Sequence, residues 1–447
     1  MGKKRNIIVG QSGGPTAVIN SSLAGVYKTA KERGFHKVYG MLHGIEGFLD
    51  EMYVDLSTQI HSDMDIELLK RTPSAFLGSC RFKLPEIHEN PEIYEKIFSI
   101  MNKLEIEVFI YIGGNDSMDT IKKLSDYAIV KGHEQKFLGV PKTIDNDLAL
   151  TDHTPGFGSA AKYIAASTKE VIRDAMGLSY KRKMITIMEI MGRNAGWLTG
   201  ATALAKTEDC CGPDLIYLPE IPFDVDRFLK KCSDLLEKKP SIVIAVSEGI
   251  KVPDGRYVCQ LAGGSDYVDA FGHRQLAGTA GYLASFLAAK TGCKTRAVEL
   301  STLQRSASHM ASRVDINEAF MVGGAAVKAA DEGDSGRMVV IDRVSDDPYM
   351  SAAGIYDVHK IANNEKLVPR SWVNREGNYV TREFIDYVEP LIQGRLSAIY
   401  GKRASPASGA ETVDKYETVE KMGGFIGTAV CLVLGSVYLY TLFRPGL

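Results

Sequence analysis

Neither sign of charge dominates this chain: 53 lysines and arginines face 55 aspartates and glutamates, a formal net charge of −2. No Lys/Arg stripe offsets that balance, so a nucleic-acid partner is not expected. Cysteine is sparse and scattered, seven residues with one adjacent pair, Cys210 and Cys211, and no C-x-x-C spacing. That argues against a zinc site and against a disulfide framework, and it fits a reducing compartment. His43, His153, His273 and His309 lack metal-ligand spacing, and no Ser-His-Asp nucleophile set can be assembled. The opening MGKKRNIIVG has no apolar region of the signal-peptide kind, and Asn6 stands where a myristoylation pattern needs Ser or Thr.

With 45% hydrophobic and 24% charged residues over 447 positions, the chain has material for two or three lobes. Short apolar segments alternate with helix-like ones. Arg5 to Val9, Glu107 to Ile112, Phe137 to Val140, Met184 to Ile190 and Ser241 to Val246 read as strands. Such interleaving predicts an α/β fold with parallel sheets covered on both faces. In these sheets ligands bind beyond the carboxyl ends of the strands. The polar motifs QSGG, GGNDS, PKTIDND, MGRNAG and SEG all fall there, which predicts one shared cleft.

Each motif has a chemical reading and a plainer one. In VGQSGGPTAVIN, Gly13 and Gly14 can let backbone N–H groups approach an anion at a helix start, or simply make a turn. The motif is neither a P-loop nor G-x-G-x-x-G. Asn115 and Asp116 in IGGNDSMDT can serve a ligand or cap a helix. Asp145 and Asp147 share one face if PKTIDND stays extended, and their repulsion calls for Lys142 or Mg²⁺ nearby. The alternative is an Asx-rich turn with a solvated lysine. Arg81, Arg193, Arg296 and Arg305 suit bidentate phosphate binding, and Glu248 could accept from sugar hydroxyls or cap a turn. Together these groups point to phosphoryl transfer onto a phosphorylated, hydroxyl-bearing acceptor.

The far end differs in composition. Residues 404–421 read as a small, polar linker, and residues 422–443 carry no charge. As a helix that run would span about 33 Å at roughly 1.5 Å per residue, enough to cross a bilayer core. A membrane anchor is expected, with a buried or oligomer-forming helix as the alternative.

In order along the chain, QSGG, FLGSCRF, GGNDS, PKTIDND, HTPGFGSA, MGRNAG, SEG and TRAVELSTLQR resemble the phosphofructokinase family over roughly residues 5–400. The resemblance implies two Rossmann-like three-layer lobes with mainly parallel sheets; the C-terminal hydrophobic helix, beyond about residue 404, lies outside the family pattern. Residues 1–156, completed by about 303–350, would bind the donor, and 157–302 the fructose 6-phosphate. Residues 351–403 would be an extension packed on both lobes. Asp145 would take the proton from the sugar 1-hydroxyl, with Thr143 beside it. Met191, Gly192, Arg193, Glu248, Arg296, Thr302 and Arg305 would surround the sugar phosphate. Gly13, Gly14, Arg81, Asp116 and Lys142 would meet the donor, and Asn115, Asp116 and Asp147 are the candidates to hold Mg²⁺.

Departures from the family pattern sharpen the donor. Asp116 and Lys142 stand where ATP-using members typically carry glycines, a pairing that the resemblance assigns to pyrophosphate-dependent members. A carboxylate at 116 would repel a nucleotide's α-phosphate, and an ammonium at 142 would balance charge on a small donor. Asn115 replaces a metal-associated aspartate, and Thr302 replaces a His or Tyr. Pyrophosphate-dependent phosphoryl transfer is therefore expected, from a cytoplasmic homodimer or homotetramer attached to the cytosolic face of a membrane. An ATP-dependent enzyme of the same fold and a membrane-tethered non-catalytic subunit are the alternatives.

Overall fold

The computed structural model describes residues 5–179, 182–262, 276 and 278–394. The expected linker 404–421 and membrane helix 422–443 lie outside the described residues. Among the described residues, no helix is long and apolar enough to cross a membrane.

Eleven strands occur in the described residues: β1 Asn6–Gln11, β2 Lys37–Met41, β3 Tyr53–Asp55, β4 Ile106–Gly113, β5 Lys136–Pro141, β6 Met184–Ile190, β7 Leu215–Tyr217, β8 Ser241–Ser247, β9 Lys294–Glu299, β10 Arg337–Asp346 and β11 Tyr349–Asp357. A large sheet runs β11-β10-β5-β4-β1-β2-β3 and a small one β7-β8-β6-β9. The small sheet is parallel throughout. The large one is parallel except at its two margins, where β2–β3 and β10–β11 pair antiparallel.

Alternation along the strands explains the layering. Ile7 and Val9 join Val108, Ile110 and Ile112 in one core, while Ile8, Phe109 and Tyr111 enter another on the opposite face. Met184 and Met188 face one side of the small sheet, and Ile185 and Ile187 the other. Successive strand residues point to opposite faces, so a sheet covered on both sides needs apolar residues at every position. This is why these strands read as continuous apolar runs. On one face the helices Ile19–Glu32 and Arg313–Asp331 pack backbone to backbone. A Cβ on Gly25 would lie 2.1 Å from Phe320 O, so only glycine allows that approach.

Register then gathers the motifs. Gln11 pairs with Ile112 and Gly113 with Pro141, so β1, β4 and β5 end side by side. Ile190 pairs with Ser247, aligning the ends of β6 and β8. Those ends carry QSGG, GGNDS, PKTIDND, MGRNAG and SEG.

Candidate active site

The five motifs line one cavity of about 720 Å³. Its floor on one side comes from Gly13, Gly14, Gly114, Asn115 and Asp116, with Arg81 alongside. Lys142, Thr143, Asp145 and Asp147 stand in the middle, and Met191, Arg193, Glu248 and Arg305 complete the other side.

Gly13 and Gly14 leave room that side chains would fill. Gly13 has φ +76°, and a Cβ there would lie 3.1 Å from Lys142 Nζ; one on Gly14 would lie 2.9 Å from Arg305 Nη1. The result is a backbone cradle faced by two cations, a geometry suited to a phosphate group. Lys142 is buried, and its ammonium donates to Gly14 O at 2.7 Å. Burial pushes its pKa down to about 8 despite the Asp145 carboxylate, and Arg305 adds to the depression. Burial also lowers the Arg305 guanidinium, with Arg81 acting the same way. An anion entering here would relieve that repulsion.

The carboxylates are perturbed in the opposite direction. Burial raises Asp145, against the pull of Lys142, the Thr143 hydroxyl, Arg193 and Arg305. Burial and then the Asp145 charge push Asp147 up to about 7, and the same two causes bring Glu248 to about 7. Both carboxylates of PKTIDND do face the cavity, but the segment is not extended as the shared-face argument supposed. Asn146 has φ +55°, a left-handed residue that bends the chain between them. The side chain of Thr143 accepts the Asp145 N–H at 3.0 Å, closing the near half of that bend.

Asn115 is not a helix cap. Gly114 is the N-cap of helix Asn115–Lys131, and Asn115 Oδ1 is buried with no hydrogen-bond partner. An orphaned buried acceptor costs on the order of 1–3 kcal/mol, which a ligand can repay. With Asp116 and Asp147 lining the same cavity, the donors are hard oxygens of the kind Mg²⁺ takes. Among the described residues no group of three or more His, Cys, Asp or Glu side chains is arranged to hold a metal ion by itself. That suits an ion held by one or two side chains and by donor phosphate oxygens, so the residues fit the metal.

Three expected residues lie differently. Gly192 contributes its backbone N–H, donated to Glu248 Oε1 at 3.4 Å, and is not itself in the cavity lining. Arg296 sits on β9, the margin of the small sheet, and pairs with Asp174 at 3.0 Å. Thr302 is exposed, and neither it nor Arg296 lines this cavity.

Residues 6–330 match the family described as Phosphofructokinase. The chain belongs to the phosphofructokinase family. Among its relatives, the pyrophosphate–fructose 6-phosphate 1-phosphotransferase of Xanthomonas campestris pv. campestris (strain B100) is 40% identical, over 90% of this chain and 94% of that protein. A sulfofructose kinase of Alkalicoccus urumqiensis is 30% identical over 83% of this chain and 93% of its own length. The crystal structure of a pyrophosphate-dependent phosphofructokinase from Nitrosospira multiformis superposes with a TM-score of 0.80 at 36% identity, covering 90% of this chain and 95% of that one.

This phosphofructokinase site also holds residues that sequence motifs did not single out. Asn363, Asn364 and Glu365 line the cavity. Asn363 Nδ2 donates to Asp119 Oδ1 at 3.1 Å, and Glu365 Oε1 accepts from Asn194 Nδ2 at 2.8 Å. Nothing local in ANNEKLVP separates it from a surface turn; only the chain's return to the cleft gives it a place there.

Proposed function

We propose that this chain transfers a phosphoryl group from pyrophosphate to the 1-hydroxyl of fructose 6-phosphate, giving fructose 1,6-bisphosphate and phosphate. The observation that carries the donor assignment is the presence of both Asp116 and Lys142 on the wall of one cavity, beside the Gly13–Gly14 cradle. Asp145 accepts the 1-hydroxyl proton as that oxygen bonds to the phosphorus and the bond to the bridging oxygen breaks. Its raised pKa makes it a stronger base than an exposed aspartate. Lys142, Arg81 and Arg305 balance the charge on the departing phosphate; of the three, Lys142 is buried and so only weakly screened, Arg305 is partly buried and Arg81 exposed. Arg193, Met191 and Glu248 hold the sugar phosphate. Mg²⁺, which family members typically need, would lie against Asn115, Asp116 and Asp147 and supply Lewis-acid charge to the phosphate oxygens.

Because the bond broken in pyrophosphate and the bond formed in the product are of similar energy, the reaction is expected to run both ways. Phosphorus NMR tests this directly. Fructose 1,6-bisphosphate with orthophosphate and Mg²⁺ should yield a growing pyrophosphate signal; no signal at any enzyme concentration would overturn the reading.

The proposal extends to assembly and location. A homodimer or homotetramer pairing subunits across their sugar sites, as related enzymes do, gives the marginal Arg296 and Thr302 a route to a neighbour's sugar phosphate. Residues 1–403 would lie in the cytosol, tethered through 422–443. Recovery of the intact protein in the soluble fraction after an alkaline wash would count against the tether.

A further inference from the structure

We propose that Lys366 is a positioning residue for the transfer, its ammonium fixing, through Asn146, the bend that presents Asp145 and Asp147 to the cavity. The inference rests on the reading of Asp145 as the base. Asn146 is fully buried and holds φ +55°, a left-handed conformation that asparagine tolerates better than most residues with a Cβ and that its surroundings here hold in place.

Those surroundings are specific. Asn146 Oδ1 accepts the Thr154 N–H at 3.1 Å and Lys366 Nζ at 3.3 Å, and its Nδ2 donates to the Tyr387 hydroxyl at 2.9 Å. Tyr387 in turn donates to Asp152 O at 2.5 Å. Lys366 Nζ also donates to Thr151 O at 3.2 Å and Asp152 O at 2.5 Å, so its three protons meet three acceptors on one loop. Its backbone N–H reaches Asp147 O at 2.8 Å, and the preceding Glu365 forms a bridge with Leu148.

Thus one lysine from the C-terminal segment grips the loop at the bend itself and beyond it, at Asn146, Asp147, Thr151 and Asp152. None of its three acceptors is a carboxylate, so it works as a bracket and not as an ion pair. Lys366 does not line the cavity, which excludes direct contact with substrate there. Its ammonium lies over the Trp197 ring, with Nζ 5.2 Å from the centroid. Burial lowers its pKa to about 8, opposed by the charges of Asp152 and Asp147.

Lys366→Met keeps an unbranched side chain of similar reach and removes the three donors. On the full-length enzyme, kcat with pyrophosphate should fall about 10- to 100-fold, the scale of a small misplacement of a reacting group. The calorimetric Kd for fructose 6-phosphate should stay within about threefold of wild type, a split that general destabilisation would not produce. Tyr387→Phe, a milder change, should lower kcat several-fold with the same split. The two together should cost less than the product of the single losses, because both act through Asn146. A kcat within twofold of wild type for Lys366→Met, a loss confined to binding, or fully multiplicative losses would overturn the proposal. Should Lys366→Met not fold, Tyr387→Phe decides alone, and an unchanged kcat there overturns it. Wild-type enzyme inactive with pyrophosphate would instead refute the underlying functional reading, and this proposal with it.

Discussion

Replacing Asp145 with asparagine removes a charge and a proton acceptor with almost no change of shape. The Thr143 hydroxyl still receives the backbone N–H of residue 145, so the bend should persist. General-base catalysis contributes about 10²- to 10⁴-fold, equivalent to about 3 to 5 kcal/mol of barrier. Burial raises Asp145 toward the range of an effective base, which places the expected kcat loss in the upper part of that span. The lost charge also acts on its neighbours. Asp145 helps to push Asp147 and Glu248 up to about 7, so both should ionise at lower pH in the variant. Asp145 also supports the Lys142 ammonium, whose pKa should fall below its present value of about 8. Residual activity should therefore peak at lower pH than in wild type. A coupled assay of fructose 1,6-bisphosphate formation across pH 6–9, with fructose 6-phosphate binding measured in parallel, reads every term. A variant keeping more than about a tenth of wild-type kcat would remove Asp145 from the base role.

Three other outcomes follow from the same geometry. Asp116→Gly combined with Lys142→Gly should let ATP serve as donor, at least weakly, while pyrophosphate turnover falls at least tenfold; a donor-comparison assay checks both arms. In wild type, kcat/KM for pyrophosphate should decline as pH rises through about 8, where Lys142 loses its proton, and a pH-rate profile flat from 7 to 9 would contradict this. Buried His153 is raised to about 9: burial opposes the charge, but Glu318 at 2.7 Å and Asp152 at 2.8 Å outweigh it. A folded pKa above the unfolded value near 6.5 stabilises fully below that value and ceases to do so above 9. Urea titrations should accordingly show His153→Gln losing roughly 3 kcal/mol at pH 6 and much less at pH 9.

The strands visible in the sequence were those buried on both faces, since their apolar runs need no period to be seen. Hence β1, β4, β5, β6 and β8 could be placed to within one or two residues, and the motifs at their ends could be assigned to one cleft. Strands at the sheet margins escaped for the converse reason. β9 reads KTRAVE with most residues partly or fully exposed, and no residue of β3 or β11 is buried, whereas in β2 and β10 a short buried apolar stretch is followed or preceded by polar residues and turns. The bend at Asn146 was hidden because its left-handed conformation comes from Thr154, Tyr387 and Lys366, far apart in sequence. Asn115 shows the same dependence on context. Its residue type favours a cap, yet Gly114 occupies that position and leaves the amide oxygen to the cavity. Local chemistry thus named the groups, while their division of labour depends on contacts that form only on folding.

The central claim is that Asp116 and Lys142 select pyrophosphate. The most direct measurement is the ratio of kcat/KM for pyrophosphate to that for ATP, taken on purified wild-type enzyme with fructose 6-phosphate and Mg²⁺ saturating. The account predicts a ratio of at least about 10³, the scale expected when a partly buried carboxylate faces the α-phosphate of the rejected donor. Turnover with ATP equal to that with pyrophosphate would contradict it.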